Sequence, residues 1–327
     1  MRDVYASISL HFPAATPTDY IEQGKSSMER RGFLVSAAAT AFIASPVWGQ
    51  EVHLRRFYLE SMFGQLHGHE AAPTVRISKK TPLLCFHHTP RSASLFTSFL
   101  TLMGTDRISL AFDTPGYGAS DGPDGRTDVE TYAEAMAMGL DRMGYGANGR
   151  GPVDVLGFLT GATIACELAL SRPDLVRRIV FVHALVMSKE GRLALKEEIE
   201  TRVRQDWERL GNEFYVKRLA DALAANAPDQ MVEEVVAEFV DSTIPGRDYL
   251  KGGMTALSYP AMERFALIKQ PTLFLVLDEE RADVASNGVE VVPGAKLIRL
   301  QGLNRHSFHN KPEALVYHVR TFLDSEV

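Results

Sequence analysis

The sequence predicts an α/β fold: a mostly parallel sheet flanked by helices, with a helical segment inserted late in the chain. Three observations carry this. Short, near-continuous apolar runs such as 82–86 and 271–277 alternate with stretches of helical periodicity, the pattern of strands buried on both faces between crossover helices. A strand, a G-x-x-x-G turn and a helix follow one another over 153–170. Between 187 and about 268 the pattern becomes purely helical.

A chain of 327 residues is long enough for one large α/β domain with an inserted lid, or for two domains. The net charge of −6 gives no electrostatic reason to expect nucleic acid as a partner. No basic run or zinc-ligand spacing is visible, and no cofactor is expected. Two cysteines do not make a disulfide framework; Cys85 in a predicted strand and Cys166 in a predicted helix read as small core residues.

Residues 1–27 show no sustained periodicity and read as a disordered extension, or as sequence upstream of a start at Met28. From there Arg30-Arg31-Gly32-Phe33-Leu34 leads into an apolar run over 35–48 and a polar exit at Gly49-Gln50. A basic pair, a short apolar stretch and a polar exit have the layout of an export signal, and Arg-Arg-x-Phe-Leu resembles the twin-arginine type. The run is shorter than the ~20 residues of a comfortable membrane span, so no stable membrane insertion is expected. The expectation is a periplasmic or secreted protein; the alternative is a cytoplasmic one whose N-terminal helix packs on the domain.

The sheet begins with a hairpin over 55–60 and 64–70, turned at Met62-Phe63-Gly64. The strand at 82–86 opens into His87-His88-Thr89-Pro90-Arg91-Ser92; the bland reading makes one histidine a buried loop anchor and leaves the other exposed. A helix over 95–103 leads to a strand over 107–112 and the turn Asp113-Thr114-Pro115-Gly116-Tyr117-Gly118-Ala119-Ser120. There proline and glycine set the geometry, and Asp113 is placed to accept backbone N–H groups. A helix over 129–143 carries Tyr132, Met136 and Leu140 on one face. The strand at 153–156 turns through Gly157-Phe158-Leu159-Thr160-Gly161 into a helix over 162–170, with Ile164 and Leu168 inward, and the next strand falls within 176–185.

The segment 187–268 reads as three or four helices without a strand. Its aromatic residues Trp207, Phe214, Tyr215, Phe239, Tyr249 and Tyr259 read mostly as its own core. A strong strand at 271–277 then runs into Asp278-Glu279-Glu280-Arg281-Ala282-Asp283; the last strand is 296–300, and a helix over 312–323 closes the chain behind Gly302-Leu303-Asn304-Arg305-His306-Ser307-Phe308-His309.

The strand–turn–helix at 153–170, the Asp113 turn and the late histidine loop, in that order, resemble the α/β-hydrolase superfamily over about 57–323. The resemblance implies an eight-stranded, mostly parallel sheet, with a core over 50–186 and 269–327 and a helical cap over 187–268 that excludes water and shapes the pocket. It makes the elbow apex the nucleophile position, and that residue is Leu159, which cannot attack a carbonyl. It implies oxyanion donors at the N–H groups of Thr160 and Thr89, an acid at Glu280 with Asp278 and Asp283 as alternatives, and a base at His306 in preference to His309. His88 stands where the family usually has glycine; His87 and His88 are further candidates for a catalytic role, and no metal ligand is assigned.

Three functions follow from this resemblance. The first is a small-molecule, ester-type hydrolase of non-standard mechanism, with His306 oriented by Glu280 to activate water. The second is histidine-based chemistry without a covalent nucleophile, such as a lyase or cofactor-free oxygenase reaction. The third is a catalytically inactive ligand-binding protein. A small apolar substrate or ligand is the expected partner, with Leu159 adding apolar surface to the pocket floor.

Overall fold

The computed structural model describes residues 51–74, 78–224 and 232–326. The extension and export-signal reading of 1–49 lies outside these residues. Strands β1 (Val52–Ser61) and β2 (Gly64–Pro73) form an antiparallel hairpin, with Ser61 opposite Gly64. Both run beyond the predicted 55–60 and 64–70. Strands β3 (Leu83–Phe86), β4 (Ser109–Phe112), β5 (Val153–Phe158), β6 (Val176–Val182), β7 (Thr272–Leu277) and β8 (Lys296–Leu300) complete an eight-stranded sheet in the order β1-β2-β4-β3-β5-β6-β7-β8. From β4 to β8 every pairing is parallel. All residues of β3, β4, β5 and β7 are buried, which explains why these runs lack polar alternation.

Helices α1 (Thr97–Met103), α2 (Val129–Arg142) and α3 (Thr160–Ser171) lie between the first six strands. A 3-10 turn at Ala93–Phe96 takes up the start of the helix predicted over 95–103. Asp128 caps α2 by accepting the Thr131 N–H at 2.8 Å. Between β6 and β7 come α4 (Lys189–Leu210), α5 (Phe214–Ala224), α6 (Val232–Thr243), α7 (Lys251–Ser258) and α8 (Ala261–Phe265). That is five helices among the described residues, where three or four were expected; the short α8 follows Pro260 and spans only five residues, too few for a periodicity to stand out in the sequence. The short α9 (Ala282–Ser286) and α10 (Gly288–Val291) precede β8; α11 (Ser307–Asn310) and α12 (Pro312–Leu323) follow it.

Two apolar clusters sandwich the sheet. Tyr132, Met136 and Leu140 of α2 and Ile164 and Leu168 of α3 fill one side; Phe99, Phe308, Leu315 and Val319 fill the other. Cys85 and Cys166 are free and buried, one in each cluster. Because β3 to β8 run parallel, the loops leaving their carboxyl ends emerge at one edge of the sheet. Loops at this edge are where open α/β sheets hold their ligands. Among the described residues no helix is long and apolar enough to cross a membrane.

Candidate functional site

The elbow is built at the end of β5. Leu159 adopts φ 48° and ψ −109°, a conformation costing a non-glycine residue on the order of 1–3 kcal/mol. The helix therefore starts one residue after the apex, at Thr160 rather than 162. Two glycines allow this. A Cβ on Gly161 would sit 2.2 Å from the Phe86 carbonyl oxygen, and one on Gly157 would sit 2.6 Å from the Ala162 Cα. The Leu159 side chain is partly buried against the aromatic and aliphatic cluster on one side of the sheet.

The β3 loop crosses this turn. The Thr89 N–H, expected as an oxyanion donor, donates instead to the Thr160 hydroxyl at 2.7 Å, and the two threonine hydroxyls lie 3.3 Å apart. The Thr160 hydroxyl thus occupies the Thr89 N–H that the resemblance offered to a ligand.

The two loop histidines are both buried, which corrects the expectation that one would face solvent: His87 is 0% and His88 6% exposed. His87 is an anchor. Its Nε2 accepts the Thr114 N–H at 2.8 Å, so its Nδ1 carries the proton and donates to the His88 carbonyl at 2.9 Å. Burial lowers its pKa. His88 lies edge-on to Phe158, 4.8 Å between centroids, and its Nδ1 is buried without a partner. Burial, with Arg91 and Arg305 nearby, pushes its pKa well below the usual histidine value, so the ring is neutral. Asp113 has the supporting role expected of it. Its carboxylate accepts from His67 Nδ1 at 2.7 Å and from the N–H groups of Ala93 at 2.6 Å and Ala119 at 2.8 Å. Burial opposes its ionisation, but these hydrogen bonds and His87 outweigh burial and hold its pKa below the ordinary value.

His306 stands at the start of α11. Its N–H is taken by Asn304 Oδ1 at 3.0 Å, and two residues on the Phe308 ring packs on Phe96, Phe99 and Phe158. Phe158 therefore joins three loops: it precedes Leu159, touches His88 and supports the His306 turn.

The acid loop does not take the expected form. The Glu280 side chain is 89% exposed, 3.6 Å from Arg281; only its backbone is used, accepting from His183 Nε2 at 2.9 Å. Asp278 accepts the Gly302 N–H at 3.2 Å and is exposed, as is Asp283 in the first turn of α9. The buried acid of this loop is Glu279, 8% exposed and paired with Arg305 at 3.2 Å. Among the described residues, the cap brings a carboxylate to His306. Glu238 of α6 places Oε2 3.6 Å from His306 Nδ1 and 3.2 Å from Arg91 Nη1. One turn on, Asp241 of the same helix accepts from Ser92 at 3.0 Å and Ser94 at 2.7 Å and pairs with Arg91 at 3.3 Å. Sequence reasoning missed Glu238. A signal was present: Val235, Phe239 and Ser242 recur at helical spacing and face inward, and Glu238 lies beside that stripe.

Between the His88–Arg91 loop, Arg305 and His306 below and α5 and α6 above lies a cavity of about 440 Å³, within the ~300–1,000 Å³ of small-molecule sites. The residues lining it include Thr89, but not Leu159 or Thr160. Nor is the wall simply apolar: Arg91, Arg218, Arg305 and Glu238 share it with Phe239 and Val235. Among the described residues no group of three or more His, Cys, Asp or Glu side chains is arranged to hold a metal ion.

A family model described as the alpha/beta hydrolase family matches residues 66–316. Among curated proteins, a pyrrolizixenacetamide deacetylase from Xenorhabdus hominickii is 26% identical over 180 residues, 54% of this chain and 66% of that protein. The chain thus spans just under two thirds of that relative's length. Among solved structures, a hydrolase from Pseudomonas aeruginosa superposes with a TM-score of 0.64 at 19% identity, over 83% of this chain and 98% of the other. A carboxylesterase from Bacillus subtilis does so with 0.64 at 15%, over 85% and 94%. An epoxide hydrolase from Vigna radiata gives 0.64 at 14%, over 83% and 98%. At these identities the three structures speak for the fold alone.

Proposed function

This chain belongs to the alpha/beta hydrolase family, and on that premise we propose that it acts on a small ester- or amide-type molecule with His306 as general base and without a covalent enzyme intermediate. The observation that supports this reading is the division of the site. The elbow apex carries leucine and lies off the cavity wall, whereas His306 lines the cavity with a carboxylate beside it. Water, deprotonated by His306, is then the nucleophile. Positioned general bases contribute roughly 10²–10⁴ in rate, far less than a complete nucleophile–base–acid unit, so slow turnover is expected. Such chemistry needs no cofactor.

A second reading, ligand binding or non-hydrolytic histidine chemistry, draws support from the Thr89 N–H. With that donor occupied by Thr160 Oγ1, the negative charge of a tetrahedral intermediate loses a hydrogen bond worth about 3–4 kcal/mol at such sites.

The test is hydrolysis of short-chain nitrophenyl esters by the protein and by His306→Ala and Leu159→Ser. Steady turnover without a burst of nitrophenol, falling at least about a hundred-fold in His306→Ala, supports the proposal. A burst, or turnover indifferent to His306, refutes it. Turnover that appears only in Leu159→Ser favours the second reading. Export by a twin-arginine signal belongs to the same proposal and is tested by fractionating cells that express the chain with Arg30-Arg31 intact or replaced by Lys-Lys.

A further inference from the structure

Among the described residues, the cavity wall carries three guanidinium groups whose charges are balanced unequally. Arg91 is met by Glu238 and Asp241, and Arg305 by Glu279. Arg218 of α5 has no carboxylate within ion-pair distance among the described residues. Its guanidinium is held by aromatic faces instead, 4.6 Å from the Tyr249 centroid and 5.7 Å from that of Phe214. Aromatic faces attract the cation but accept no N–H bonds in its plane. Its Nη1 is accordingly buried with no hydrogen-bond partner. A buried charged donor left without an acceptor is costly, and one that lines a cavity calls for an acceptor from the ligand. The same wall holds another buried polar atom with no hydrogen-bond partner among the described residues, Nδ1 of His88, on a ring that is 6% exposed. Beside these polar groups, Phe239, Val235 and Ala222 offer apolar contact.

We propose that the cavity takes a small organic molecule bearing a carboxylate, which seats on Arg218, with its carbon skeleton against Phe239 and Val235. This names a substrate class for the site assigned above and rests on that cavity being the functional one. It replaces the small apolar ligand expected from the sequence with an anionic one. The planar guanidinium suits a carboxylate, and the apolar half of the wall suits the skeleton attached to it.

The experiment is thermal-shift and calorimetric titration of the full chain with short mono- and dicarboxylic acids, each beside its methyl ester; succinate, monomethyl succinate and dimethyl succinate form one set. Inorganic phosphate is a parallel arm. At least one acid is expected to bind more tightly than its neutral ester. In Arg218→Gln that binding weakens by about ten- to a hundred-fold, the span for a hydrogen bond to a charged group, while Arg218→Lys recovers part of it. Circular dichroism of both variants controls for folding. His306→Ala is expected to keep the binding, so loss of turnover and loss of the anion site are read separately. The inference is overturned if no acid binds better than its ester, if Arg218→Gln binds like the parent, or if phosphate alone binds through Arg218.

Discussion

At the elbow the backbone is tightly constrained, with Leu159 at φ 48° and ψ −109° over two glycines that admit no Cβ, while the side chain at the apex carries no polar group. Across the sheet edge the reverse holds. The loop after β8 carries a polar ring, His306, at a looser turn, and a carboxylate of cap helix α6, that of Glu238, lies 3.6 Å from it. The two regions share one aromatic support, Phe158 packed on Phe308 at 5.3 Å. Scaffold and reactive groups are thus separable. The elbow is held by steric fit between backbone segments, which does not depend on what the apex side chain can do. The His306 loop is held by its own turn and by Phe308, which does not fix which carboxylate stands beside its histidine.

The sharpest way to break this comparison is to attack the steric fit. Gly161→Ala would drive a methyl group into the Phe86 and His87 carbonyls. A loss of about 3 kcal/mol or more is expected in urea unfolding, and a change under 1 kcal/mol would mean that the elbow is not held by this contact.

Acid titration probes the loop between the two regions. Burial holds the folded-state pKa values of His87 and His88 below the ordinary histidine value of 6.5, so below that pH the unfolded chain binds protons that the folded chain does not. Stability therefore falls as pH drops below about 6.5, by up to about 1.4 kcal/mol per histidine per pH unit until the folded pKa is reached. Asp113, with its pKa lowered from 3.8, adds to the loss only at more acid pH. In His88→Phe the slope between pH 6.5 and 5 should lose one histidine's share; an unchanged slope would mean that His88 is not buried as the neutral form.

The smallest effect separates the two candidate acids. Glu238 is partly buried and bridges Arg91 and His306, whereas Glu280 is 89% exposed. Glu238→Gln should cost roughly 1 kcal/mol of stability and Glu280→Gln less than about 0.5 kcal/mol. Equal costs would place the cap carboxylate on the same footing as the solvated loop.

Much of the fold was legible in the sequence because its signals are local. Fully buried strands show as apolar runs, as at β3 and β7, and glycines at 157 and 161 mark a turn too tight for a Cβ. His306 could be singled out by its place between the last strand and the closing helix. The acid could not be chosen in the same way. Asp278, Glu279, Glu280 and Asp283 are interchangeable in a polar loop, and burial alone distinguishes Glu279, through an arginine 26 residues away. The occupied Thr89 N–H depends on a hydrogen bond across 71 positions.

By itself, then, the sequence determined the alternation of strands and helices along the chain and the tight glycine turn at 157–161, since each follows from periodicity, steric allowance or residue type within a few positions; Leu159 and His306 were singled out only through the resemblance to the α/β-hydrolase superfamily. Only the tertiary structure decided that Glu238 stands beside His306, that Thr160 occupies the Thr89 N–H, and that Arg218 meets no carboxylate among the described residues. These are distances between side chains brought together by packing, and hydrogen bonds and ion pairs act over a few ångströms in space regardless of separation along the chain.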